Sequence, residues 1–153
     1  MTCVECGSKK FGQSRHEHKH IVDGVMFRVK MKASRCAKCD AETVPLAELG
    51  AGELAVATWL AQNAVISGAS FRFMRKALLL RANALADLLG VTNESVSRWE
   101  NGKREVDRSA WVLLASMVLD RVEGSARTAD RLEALRKPPR PRKDVTLEVH
   151  PRG

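Results

Sequence analysis

Four cysteines fall in two pairs of identical spacing, Cys3/Cys6 and Cys36/Cys39, and none is left over. Two residues between thiolates let the backbone turn so that both sulfurs and several N–H groups point at one ion, and two such turns complete a tetrahedral sulfur set. Three chemistries compete for this pattern: a closed zinc site, a pair of disulfides, and a thiol redox motif. A redox pair needs only one CxxC, at a helix start behind a strand, and disulfides need an oxidising compartment, for which no export signal is visible. The spacing therefore predicts one structural Zn2+ per chain, held by Cys3, Cys6, Cys36 and Cys39. With sulfur at every position the site is closed and non-catalytic. His16, His18 and His20 alternate on one strand face and are spare donors for a second metal. Four thiolates already fill one zinc, however, so the histidines read as exposed strand residues.

The second chemistry-bearing stretch is Ala82 to Arg104, ANALADLLGVTNESVSRWENGKR. Ala86 and Val96 suit a close crossing of two helices, and Gly90 suits a helix end with φ > 0. Thr92 is an N-cap for a second helix from Asn93 to about Glu100, closed by Asn101 and Gly102. Val96 and Trp99 then face inward, leaving Asn93, Glu94, Ser97 and Arg98 outside. A short polar face of this kind can read bases: Arg98 matches the O6/N7 edge of guanine, Asn93 adenine, and Glu94 the N4 amine of cytosine. Thr92, Ser97, Asn101, Lys103 and Arg104 flank that face as candidates for the DNA backbone. A plain helical hairpin could also carry the small and branched residues, but the ending SRWENGKR is more particular.

Residues from about Ser70 to Val122 resemble the Xre/Cro family of repressor-like DNA-binding domains, on the Ala86, Gly90, Val96 triplet and the Trp99-Glu100-Asn101-Gly102-Lys103 ending. The resemblance implies that an arginine of the first helix pairs with the glutamate ending the recognition helix, and Arg75 and Glu100 occupy those places. A nearly buried carboxylate beside a helix C-terminus is costly unless an arginine fork satisfies it, so this pair reads as structural.

These residues need elements to position them. HEHKHIV (16–22) and VMFRVKMKA (25–33) flank Asp23-Gly24, a strong two-residue hairpin signal, so the cysteine module is a β-ribbon over 1–45. Such a ribbon is too small to hold a core alone, and metal binding would supply most of its folding free energy, about 10–16 kcal/mol apparent at neutral pH. A helical linker over 46–68 follows, with a helix from about Gly52 to Ala64 after an irregular lead-in. A helix-turn-helix and dimerisation domain spans 69–137. In it Ser70 caps the first helix, Asp107 caps one running through Leu119, and Ser125 caps a last one to about Arg136. Trp59, Trp99 and Trp111 read as core. The segment 138–153 is a basic, proline-rich tail with a short strand, DVTLEVH, whose Val145, Leu147 and Val149 share a face. The fold class is thus α+β: a small β-ribbon zinc module followed by an all-α five-helix domain of the Xre/Cro type.

Composition agrees. The 153 residues carry a net charge of +8, with nine basic and seven acidic side chains in 1–68 and seventeen and eleven in 69–153. The excess falls on the half with the helix-turn-helix, as is expected of a phosphate binder, although many solvated surfaces are equally basic and bind nothing. No stretch approaches a membrane span, and a cytoplasmic location without membrane partners is expected.

A double-CxxC module ahead of an Xre-type domain, over about Met1 to Val122, resembles the MqsA/YgiT class of antitoxins. That resemblance implies structural zinc, an amino-terminal module that masks a ribonuclease toxin, and a carboxy-terminal module that dimerises and represses its own operon at a palindromic operator. The family's recognition-helix arginine falls on Arg98. Its base-reading asparagine falls on Glu94, with an asparagine instead at Asn93. The expected function is a non-enzymatic repressor and antitoxin. Alternatives are a free-standing Xre regulator whose ribbon binds another protein and, more remotely, a thiol redox enzyme, although no Ser/His/Asp set, phosphate loop or open metal site is present.

Overall fold

Asp23 and Gly24 take φ of 51° and 77°, the pair of left-handed residues that a two-residue hairpin turn needs. They join β1 (Phe11–Val22) to β2 (Val25–Cys36), and a short β3 (Glu42–Thr43) adds to the other edge of β2 in the order β1-β2-β3. The computed structural model describes residues 1–138, 140 and 145–147. Six helices follow: α1 (Leu46–Gln62), α2 (Gly68–Ala77), α3 (Ala82–Leu89), α4 (Asn93–Glu100), α5 (Arg108–Val122) and α6 (Arg127–Arg136). The expected five-helix domain is α2 to α6, with α1 ahead of it.

The antiparallel register sets His16 opposite Met31, His18 opposite Val29 and His20 opposite Phe27. Opposed residues share a face, so the histidines lie on the side that carries buried Val22, Met31 and Ala33. That side packs on the helices. Two of the three histidines are therefore partly covered rather than exposed, while His18 is exposed as expected: His20 meets the Phe73 ring edge-on at 5.4 Å, and His16 Nδ1 lies 2.9 Å from Glu42 Oε2.

Helix α1 begins at Leu46, with Gly50 and Gly52 inside it, rather than at Gly52 after a loop. Tertiary contacts explain this. Glu48, in its first turn, accepts the Lys32 N–H from the uncovered edge of β2 at 3.0 Å. Gly52 crosses the ribbon so closely that a Cβ there would sit 3.0 Å from both Met31 Cε and Val29 Cγ1. Val56, Ala57 and Leu60 of α1 share one core with Phe71, Met74, Leu85, Val96, Trp111 and Leu114, and Val22, Phe27 and Val29 of the ribbon pack into the same core. The segment expected as a linker is thus a core helix. Trp59 lies at its rim, 43% exposed rather than in the core, with its ring against the edge of Phe27.

Two caps differ from expectation. Ser67, not Ser70, caps α2, and Ser70 is the reciprocal partner three residues on, its fully buried hydroxyl also donating to the carbonyls of Val65 and Ser67. Helix α6 starts at Arg127, where the Asp120 carboxylate at the end of α5 accepts the Thr128 N–H at 2.7 Å, so its first turn is capped from a neighbouring helix rather than by Ser125. Asp107 caps α5 as expected, accepting from the Ala110 N–H at 2.9 Å. In the tail, Val145 to Leu147 form no strand, and the rest of the expected 144–150 strand lies outside the described residues.

Candidate metal centre and nucleic-acid interface

The two cysteine turns are built alike. In each, the N–H of the first cysteine donates to the carbonyl five residues on (Cys3 to Ser8, 2.8 Å; Cys36 to Ala41, 2.9 Å). The residue after the second cysteine returns a bond to the first (Gly7 to Cys3, 2.9 Å; Asp40 to Cys36, 3.0 Å). Both closing residues have positive φ, 69° for Gly7 and 57° for Asp40. Glycine adopts this without strain and aspartate at modest cost. The Ala37 N–H donates to the Lys10 carbonyl at 3.0 Å and ties the turns together at the far end of the ribbon.

All four sulfurs lie within 4.8 Å of one another. Cys3 to Cys39 and Cys6 to Cys36 are both 3.6 Å apart. A tetrahedron with Zn–S bonds of about 2.3 Å has edges of about 3.8 Å, so the set fits a zinc-sized ion. The thiols are free. The backbone N–H groups of Lys38 and Cys39 point at the Cys36 sulfur and pull its thiol down to about 6. At Cys39 the Ala41 N–H also favours the thiolate, but Cys6, burial, Cys3 and Cys36 together outweigh it and push this thiol up to about 12. Crowded sulfurs cannot all ionise on backbone dipoles alone, whereas a divalent cation takes them all as thiolates. Among the described residues this is the one cluster of three or more potential ligands close enough to share an ion; the three histidines do not form another.

The helix-turn-helix is formed by α3 and α4. Gly90 ends α3 at φ 67°, and the Thr92 hydroxyl accepts the Ser95 N–H at 3.1 Å to start α4. Ala86 and Val96 are buried at the crossing, and Trp99 packs its ring against the edge of Phe71. Arg75 and Glu100 meet as a two-pronged pair, with Nη2 to Oε2 at 2.9 Å, while Nη1 donates to the Leu80 carbonyl at 2.7 Å. Their side chains are only 10% and 7% exposed. The arginine thus locks the end of α4 to α2 and to the turn before α3.

Asn93, Glu94, Ser97 and Arg98 are on the outer face of α4, and an open depression is lined by Glu94, Ser97, Arg98, Lys103 and Arg104. Arg98 Nη2 donates to Glu94 Oε1 at 2.7 Å, one turn earlier. That partner was missed from sequence, although an acid four residues ahead of a base is its usual signal. Two backbone candidates have other work in the free protein: Asn101 Nδ2 donates to the Ser97 carbonyl at 2.8 Å, and Thr92 caps the helix. Lys103 and Arg104 are exposed on the turn after α4, where both backbone N–H groups donate to the Arg98 carbonyl.

Residues 71–117 match the helix-turn-helix family, from α2 to the middle of α5. The match supports a DNA-binding transcriptional regulator of the Xre type, carried by this part of the chain. No curated protein matches the chain. No helix among the described residues is long and apolar enough to cross a membrane.

Proposed function

We propose that the chain is a sequence-specific, zinc-containing transcriptional repressor that reads double-stranded DNA through α4. The observation that carries this reading is the clamp at the base of α4. A helix end fixed by the Arg75–Glu100 pair presents a short polar face on which Asn93 and Arg98 are the reading side chains and Glu94 holds Arg98, with Ser97, Lys103 and Arg104 beside it. Holding the helix rigidly while leaving its reading side chains in water is what base recognition needs. The four cysteines hold one structural Zn2+ that shapes the ribbon. Boundaries near 45, 68 and 137 are proposed for the ribbon, the connecting helix and the DNA-reading unit.

One recognition helix reaches only a few base pairs, so we infer a homodimer on a palindromic operator with half-sites roughly 34 Å apart or a multiple of that. The dimer surface is drawn from the outer sides of α5 and α6. Leu114, Met117, Val118 and Leu132 are consumed by the chain's own core, which leaves Val112, Val122 and Leu135 as the exposed apolar residues there. The module order supports an antitoxin in the cytoplasm, with a ribonuclease toxin bound by the amino-terminal module. Selection of duplexes from a random pool by the full chain tests the DNA reading, and enrichment of no sequence sinks it. Co-expression with the product of the adjacent reading frame tests the antitoxin reading: relief of that product's toxicity is expected, and no relief leaves a free-standing regulator.

A further inference from the structure

The ribbon has a second face. Outward from the helices, its two strands present Arg15, Lys19, Arg28, Lys30 and Lys32 against a single carboxylate, Glu17, which pairs with Arg28 at 3.1 Å. Six of the seven acidic residues of 1–68 lie off this face. The register makes the face less ordinary still: Arg15 stands directly opposite Lys32 and Lys19 directly opposite Arg28, with Glu17 opposite Lys30 as the one complementary pair between them. Like charges facing each other across a strand pair are destabilising, and a merely solvated ribbon gains by alternating them. No apolar side chain interrupts the basic stretch; Ile21 and Met26 come only at the tip. Protein partners are anchored by buried aromatic and apolar groups, whereas a phosphate backbone needs only cations.

The face is also well placed. The hairpin tip borders a cleft lined by Ile21 and Val22 from the ribbon, Arg72 and Lys76 of α2, and Glu100 at the end of α4. From there the twelve-residue strands run outward for roughly 40 Å. We propose that the outward face of the ribbon is a second nucleic-acid surface, contacting the phosphate backbone of duplex DNA beside the bases read by α4. The inference rests on the reading that α4 binds DNA.

The test compares the zinc-loaded full chain with a variant carrying Arg15→Gln, Lys19→Gln, Lys30→Gln and Lys32→Gln. Affinity is measured over a salt series on a duplex selected by the wild-type chain and on a random-sequence duplex of equal length. The expected result is weaker binding to both duplexes alike, with the slope of log K against log[salt] reduced by about 0.9 per lost phosphate contact and the ratio between duplexes kept. Unchanged affinity and slope overturn the proposal, as does loss confined to the selected duplex. Loss of an acidic protein partner with DNA binding intact also overturns it. If the fourfold variant loses zinc or its melting transition, Lys30→Gln alone is read instead, with a slope change of about 0.9 expected and no change overturning. Arg98→Ala is the separate arm: if it leaves discrimination between the duplexes intact, the reading of α4 fails, whereas a ribbon variant without effect beside a defective Arg98→Ala defeats only the ribbon surface.

Discussion

Arg98 is held by Glu94 in the unbound protein: the guanidinium donates to the carboxylate one turn earlier at 2.7 Å, with both side chains in water, 55% and 71% exposed. An exposed pair of this kind contributes little stability, so DNA can break it at small cost. Arg98→Ala is expected to lose about 1–3 kcal/mol of discrimination at one base pair, measured by competition with single-site variants of a selected duplex. An equal loss on selected and random DNA would remove its reading role. Glu94→Gln is expected to tighten binding to every duplex, because it frees the arginine and takes a negative charge away from phosphate. A loss of selectivity at one base pair would instead assign Glu94 to cytosine.

The Arg75–Glu100 pair behaves differently because it is nearly dry. Arg75→Met strands the Glu100 carboxylate against α2 and is expected to cost about 3–5 kcal/mol in urea unfolding. The double variant Arg75→Met with Glu100→Gln should recover part of this loss. Equal destabilisation in both would mean that shape, not charge, carries the site.

Two glycines in helices give opposite expectations. A Cβ at Gly68 would lie 2.1 Å from the Trp99 carbonyl oxygen, a backbone atom that cannot swing aside. Gly68→Ala is expected to push α2 from the end of α4 and cost about 1–3 kcal/mol. Gly50 has open space around it within α1, and Gly50→Ala should stabilise by about 0.5–1 kcal/mol. Thermal melts of the two variants check both signs.

Metal removal should unravel the cysteine turns first, since their sulfurs have no other cation to share. The helices are expected to stay formed but to melt at a lower temperature, because Val22, Phe27 and Val29 of the ribbon pack into their core. Circular dichroism with and without a chelator reads this, and an unchanged helical midpoint would show that the two parts are energetically independent. A chain starting at Gly68 loses Val56, Ala57 and Leu60 as well and is expected not to fold.

His20 links ribbon docking to pH. Burial first, and then neighbouring His18, lower its pKa below the ordinary 6.5, while Glu53 acts in the opposite direction. The unfolded chain therefore binds the proton before the folded one does. Stability is full above about 6.5 and falls as the pH drops through that value toward the folded pKa. Urea midpoints from pH 8 to about 5 should decline in the wild type and decline less in His20→Gln; identical slopes would remove His20 from the effect.

The local devices were legible from residues alone, because each satisfies its need within a few positions. Gly90 supplies positive φ, Thr92 and Asp107 supply hydroxyl and carboxylate caps, Asp23-Gly24 closes a hairpin, and two CxxC turns aim sulfurs at one point. Arg75 and Glu100 lie 25 residues apart, and their meeting was legible only through resemblance to a family. Tertiary structure decided what depends on distant neighbours. Leu46 to Ala51 is helical because Glu48 answers an open strand edge and Gly52 fits against Met31, neither of which a helix-start pattern contains. Ser67 displaces Ser70 as a cap because Ser70 is drawn into the core, and α6 starts where Asp120 can reach it. The faces of the ribbon were decided the same way. Alternation places His16, His18 and His20 together, but only the packing of α1 and α2 determines that theirs is the covered side and the lysines and arginines face water.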